Sequence, residues 1–217
     1  MTRGGPVIAV DGPAAAGKGT LARRLAEALH LPYLDTGLLY RAVGRLALDA
    51  GQDPASPAQE FASRLLPADL ERPDLRTPVV AQAASKVAAQ PEVRAALVET
   101  QRRFAQEKGA VLDGRDIGTA IFPDADVKLF ITASPSTRAL RRFLQLGGDR
   151  NAPDAPTRIA ELEESLRARD DADAGRASAP MLVADDAYVI ETDELEADAV
   201  LAKALQIVRE RLAGISE

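Results

Sequence analysis

The stretch DGPAAAGKGT, residues 11–20, sets the architecture of the chain around it. It follows PVIAV, residues 6–10, a short β-branched run with the composition of a buried parallel strand. Behind it, Leu21, Leu25, Ala28 and Leu29 recur at helical spacing. Strand, glycine loop and helix in this order make a phosphate cradle. Gly12 and Gly17 permit the tight backbone turns that aim successive N–H groups at one anion. Lys18 adds a compact positive charge, and the helix presents its positive end. The general pattern puts Ser or Thr directly after the lysine, to hold a magnesium ion. Here Gly19 stands in that place, and the hydroxyl arrives one residue late at Thr20.

Working outward, a second helical pattern starts near Thr36 and carries Leu39, Val43, Leu46 and Leu48. Five prolines between Gly51 and Pro78 interrupt any long element, and Phe61–Leu66 is expected as one short helix. Helices are expected over about 78–90 and 91–108, with Pro91 in a first turn. GAVLDGRDIGT, residues 109–119, reads as a strand running into a polar loop, and VKLFITA, residues 127–133, as another strand. A helix over 135–146 carries Arg138, Arg141 and Arg142 near one side, and 147–155 is a loop by composition. A charged helix over 156–169, with Ile159, Leu162 and Leu166 on one face, precedes the strand AYVIET (187–192) and a closing helix at 195–213. Strands alternating with helices imply a parallel α/β sheet with helices on both faces.

Composition narrows the classes of function. Hydrophobic residues make up 46% and charged residues 28% of the 217, as in an ordinary globular protein. No apolar run approaches the roughly 20 residues that span a bilayer. Residues 1–6 hold no apolar core for a secretory signal, so the chain reads as cytoplasmic. With no cysteine, disulfides, thiolate metal sites and cysteine nucleophiles are excluded. The single histidine, His30, reads as a helix C-terminal residue placed against the dipole. A net charge of −6 argues against a nucleic-acid surface, and a monomer is the default. Only five of the 27 basic residues are lysines, and many arginines fall between 138 and 176. Arginine offers a fixed bidentate fork to phosphate and carboxylate.

Three further segments carry chemistry. In DTGLLYR, residues 35–41, Thr36 can cap a helix whose first two turns include Arg41, giving a second anion site. DGRDIGT, residues 113–119, follows a strand, where α/β sheets bind ligands. Arg115 there can hold phosphate, and Asp116 can accept from an amino group, as carboxylates do from cytosine N4. RARDDADAGR, residues 167–176, reads either as a solvated charged loop broken at Gly175 or as a segment that folds over the cleft. In the second case Arg169, Asp173 and Arg176 come to a transferring phosphoryl group. A guanine-reading N-K-x-D is absent.

GPAAAGKGT, DTGLLYR, DGRDIGT and RDDADAGRASAP, in this order, resemble the bacterial cytidylate kinases from about residue 6 onward. In that family GKGT after the loop is usual. The resemblance implies a P-loop α/β three-layer sandwich with a central parallel sheet, and transfer of the γ-phosphoryl of ATP to CMP or dCMP with magnesium. It implies one domain over 1–217, with an acceptor-side insert at about 52–108 and a mobile lid at about 147–180. Gly12, Pro13, Ala14, Ala15, Ala16, Gly17, Lys18, Gly19 and Thr20 would hold the ATP phosphates. Thr36, Arg41 and Arg115 would hold the acceptor phosphate or its surroundings, while Ser85, Arg94 and Asp116 match positions that read the cytosine edge. Arg169, Asp173 and Arg176 match lid residues at the acceptor sugar and phosphates. Lys18, Arg115, Arg169 and Arg176 would be catalytic. Magnesium would rest on phosphates and water, with Asp11 and Asp113 as possible carboxylate sources. The family's insert usually contains a small antiparallel sheet, whereas Pro-rich residues 52–76 show no hairpin pattern. The alternatives are a kinase for UMP or AMP, or a non-enzymatic ATP-dependent regulatory module.

Overall fold

A computed structural model describes residues 4–214. Five parallel strands form one sheet: β1 (Val7–Asp11), β2 (Tyr33–Asp35), β3 (Ala110–Asp113), β4 (Val127–Thr132) and β5 (Tyr188–Glu191). Their spatial order is β2-β3-β1-β4-β5, so β1 is central and the chain crosses over it between β3 and β4. Every residue of β1 is buried, as a strand covered on both faces must be. Alternate residues serve opposite layers. Ile8 and Val10 pack with Leu21, Leu25, Val200 and Ala204, which belong to α1 (Lys18–Leu29) and α9 (Ala197–Ala213). Val7 and Ala9 face the other way, towards Ala105, Leu112, Ile117 and Phe122.

The segment between β2 and β3 is helical throughout its regular parts. It runs through α2 (Thr36–Asp49), α3 (Gln59–Ser63), α4 (Pro67–Leu70), a 3₁₀ turn at Pro73–Arg76, α5 (Pro78–Ala88) and α6 (Pro91–Phe104). Among the described residues it holds no strand, in line with the missing hairpin pattern. Close packing of α2 on α5 depends on Gly44, where a Cβ would lie 3.0 Å from Ala83 and Ala84. The helix expected over 61–66 instead spans 59–63, because Pro67 disfavours helical backbone at Leu66 and itself opens α4. α6 ends at Phe104 rather than at 108. His30 does close α1, but through its backbone: φ is 54° and its N–H donates to Ala26 O and Glu27 O.

After β4 come α7 (Pro135–Gln145) and α8 (Ala155–Ala174). α8 corrects the sequence reading of 167–176, since it continues through RARDDADA as helix and Gly175 caps it. Asp173 in its last turn is 1% exposed and paired with two arginines, so a residue of modest helix propensity is held by tertiary contacts. Among the described residues, no helix is long and apolar enough to cross a membrane.

Candidate active site

The carboxyl ends of β1, β2 and β3 open into a cleft of about 450 Å³. On one side lies the loop 12–17. It leaves β1 so closely against β4 that a Cβ on Gly12 would fall 2.0 Å from Ile131 O, and Gly17 takes φ 95° before the helix begins. Two side chains hold the back of this loop by its carbonyls. Arg138 donates to Ala14 O at 3.2 Å, and Thr192 Oγ1 donates to Ala16 O at 3.1 Å. Arg138 also bonds Ala133 O and Asp170, linking α8 to the loop. With its outer carbonyls occupied, the loop keeps its amides for the cleft side. Ala14, Ala15, Gly17, Lys18, Gly19 and Thr20 line the cleft, whereas Gly12, Pro13 and Ala16 lie buried beneath it.

Lys18 is buried, with Nζ 3.4 Å from Pro13 O and 3.4 Å from Asp113 Oδ1. Burial, and then Arg115, lower its pKa, while Asp113 and Asp35 act the other way. Parallel pairing sets Asp35 beside Asp113 at the ends of β2 and β3. Burial, and after it Asp35, raise the Asp113 carboxyl against the pull of Lys18. Gly19 fits this arrangement by size. A Cβ there would meet Asp113 Oδ2 at 3.0 Å and Tyr33 Oη at 3.8 Å, so a Ser would press on the carboxylate that Lys18 faces. The Tyr33 hydroxyl is itself buried without a hydrogen-bond partner.

On the other side arginines dominate. Arg41 donates to Leu75 O at 2.9 Å. Arg115 reaches Asp173 at 3.0 Å and Gly114 O at 3.1 Å, and Arg176 pairs with the other oxygen of Asp173. Arg169 Nε is buried with no partner. Burial, then Arg115, Arg41 and Arg176, push Arg169 down to about 10 against Asp173, so it stays charged at neutral pH. Burial lowers Arg41 too, with Arg76, Arg142 and Arg115 adding to the effect. A crowd of cations short of counter-ions is the electrostatic footprint of a polyanion site.

Below them lies a buried ion pair. Arg94 is 4% and Asp116 5% exposed; they bond directly, and Arg94 sits 5.6 Å over the Tyr40 ring. Ser85 lines the same space, its hydroxyl donating to Ala81 O at 3.2 Å. Thr36, Arg41, Ser85, Arg94, Arg115, Asp116, Arg169, Asp173 and Arg176 thus all come to one cleft. Thr36 does so differently from the sequence reading. Asp35 is the residue at the cap position, and the buried Thr36 hydroxyl donates to Asp113 O at 2.8 Å, tying α2 to β3.

Asp11 is occupied in another way. Its oxygens accept from Ile117 N at 2.9 Å and Gly118 N at 2.8 Å, pinning one π-helical turn at Ile117–Ile121. Burial raises its pKa to about 6 against those two bonds. Sequence reasoning missed Tyr33, Asp35, Arg76 and Arg142 as lining residues. PYLD at a strand's carboxyl end was a usable signal for the first two, and the cluster 138–142 for the last.

Residues 8–210 match the family model described as cytidylate kinase. A cytidylate kinase from Granulibacter bethesdensis is 58% identical over 94% of this chain and 97% of its own length. One from Acidiphilium cryptum is 56% identical over 95% and 97%. In fold the chain is similar to a gluconokinase from Sinorhizobium meliloti, with a TM-score of 0.53 at 16% identity over all of both chains. A phosphate loop facing an arginine-rich pocket, matched along nearly the whole chain at this identity, places the protein in the cytidylate kinase family.

Proposed function

We propose that the protein transfers the γ-phosphoryl group of ATP to CMP or dCMP, giving ADP and CDP or dCDP. The observation that carries this reading is one cleft lined by the glycine loop and Lys18 and by a cluster of arginines, with a buried Arg94–Asp116 pair among its walls. A regulator needs one nucleotide site; a monophosphate kinase needs two, facing each other. The loop amides and Lys18 hold the donor phosphates. Arg41 and Arg115 hold the acceptor phosphate, and Asp116 accepts from the cytosine amino group beside Ser85 and Arg94. One acceptor oxygen forms a bond to the γ-phosphorus as the bond to the β-bridging oxygen breaks. That oxygen is already anionic near neutral pH, so no strong general base is required. Arg169 and Arg176 supply fixed positive charge where negative charge spreads over the equatorial oxygens.

Residues 147–180 act as the lid and 52–108 as the acceptor-side insert of a single domain, and their closure excludes water that competes for the phosphoryl group. Magnesium, when bound, would supply charge neutralisation to the donor phosphates. Asp113 and Asp35 have the position and chemistry to hold its water ligands, since no group of three or more His or carboxylate side chains gathers among the described residues. Asp11 is less suited, since each of its oxygens already accepts a backbone N–H and it does not line the cleft. The reading includes a cytoplasmic monomer, which sedimentation checks. Its function is tested by coupling ADP release to a panel of nucleoside monophosphates: CMP and dCMP turn over fastest, and a preference for UMP or AMP rejects the acceptor assignment.

A further inference from the structure

Arg76 has no part in the chemistry above, yet it is tied to the strand end that carries Asp35, next to the Asp113 that faces Lys18. It ends the 3₁₀ turn Pro73–Arg76 and lines the cleft with a side chain 61% exposed. Arg72, just before the same turn, is held by two carboxylates, Asp49 at 2.6 Å and Asp74 at 3.3 Å. Arg76 instead reaches across to Asp35, at 3.1 Å. Asp35 neighbours Asp113 on the next strand, and Asp113 faces Lys18.

The base of Arg76 is firm while its tip is loosely held. Leu75 is 1% exposed and packs with Ala42 and Val80, and its carbonyl receives Arg41. The peptide that carries Arg76 therefore also positions the acceptor-side arginine. The Asp35 tether joins a half-buried carboxylate to a guanidinium open to water, which screens the pair from the Arg76 side. A phosphoryl group carrying more than one negative charge outcompetes a single carboxylate for a planar guanidinium that water already reaches.

Resting on the transfer reading, we infer that Arg76 is a further catalytic residue. It leaves Asp35 and contacts the transferring phosphoryl group once both substrates are bound. The shortened insert thereby contributes a charge to the reaction as well as a wall to the acceptor pocket.

The test compares wild type, Arg76→Ala and Arg76→Lys. It measures kcat and KM for CMP at saturating magnesium and ATP, CMP affinity by calorimetry, and the melting temperature. Arg76→Ala is expected to lower kcat about 10- to 100-fold with CMP affinity within about threefold, because the contact is with the transferring phosphoryl group, where it strengthens as charge develops, and not with CMP. Arg76→Lys keeps the charge without the fork and recovers part of kcat. It also carries the test if the alanine variant melts early. A kcat for Arg76→Ala within about twofold of wild type overturns the inference, as does a loss accounted for wholly by weaker CMP binding. If wild type prefers another monophosphate, the acceptor reading fails on its own, and the same comparison with that acceptor decides Arg76.

Discussion

Replacing Asp116 with Asn changes one oxygen for an amino group and tests how the base is read. Arg94 donates to one carboxylate oxygen of Asp116, and both side chains are at most 5% exposed. In the Asn variant the remaining oxygen must stay towards Arg94, since an amino group turned to a guanidinium sets donor against donor. The new amino group then points to the base. Against the cytosine amino group it leaves two donors opposed, a loss of about 1–3 kcal/mol for an unmet buried polar group. Against the O4 acceptor of uracil it gains a bond. The ratio of kcat/KM for CMP over UMP should therefore fall about 10- to 100-fold, read from ADP release with each acceptor. Some stability is lost as well, because the Arg94 charge is left buried opposite a neutral group, so thermal melting of the variant accompanies the kinetics. An unchanged CMP/UMP ratio in a folded variant refutes the reasoning.

Other perturbations reach the donor side and the core. Lys18→Ala should lower kcat by at least about a hundredfold while circular dichroism stays native, and near-normal turnover would remove Lys18 from the phosphate site. Gly19→Ser places a Cβ 3.0 Å from Asp113 Oδ2, so it should displace the Asp113–Lys18 pair and destabilise by about 1–3 kcal/mol in denaturant melts, with kcat reduced. Wild-type stability in Gly19→Ser would show that the glycine is not needed for space. Asp11, raised from 3.8 to about 6, binds its proton more tightly folded than unfolded. Its contribution is therefore most favourable below pH 4 and is lost as pH rises to 6, by roughly 3 kcal/mol for the full shift. The stability of wild type relative to Asp11→Asn should fall across that window, and a difference that is flat or rises with pH contradicts the burial argument.

What was legible in the sequence was whatever is local. Gly12, Gly17 and Lys18 declare their loop because its conformation and the strand–helix context are set within about twenty residues. DGRDIGT taken alone also fits a solvated turn stabilised by its own aspartates, and it gained meaning only beside the other motifs. Pairings that depend on strand order were not legible. Asp35 and Asp113 become neighbours because β2 pairs with β3 rather than with β1, and that adjacency gives Gly19 its meaning. Arg76 enters the cleft through the packing of Leu75, which no spacing rule announces. The helix across 167–174 overrode an acidic, loop-like composition through Asp173, whose partner Arg115 lies 58 residues away. Thr36 and Asp11 were read for their chemistry when their hydrogen bonds serve to join elements.

The central claim is that this cleft joins ATP to a cytosine monophosphate. The most direct measurement is the kcat/KM of the wild-type protein for CMP, dCMP, UMP and AMP, with ATP and magnesium saturating and the phosphorylated product identified. CMP and dCMP are predicted to exceed UMP and AMP by at least about tenfold, with CDP or dCDP formed one for one with ADP. ADP release that does not depend on any monophosphate, or a UMP or AMP rate equal to that of CMP, would contradict the account.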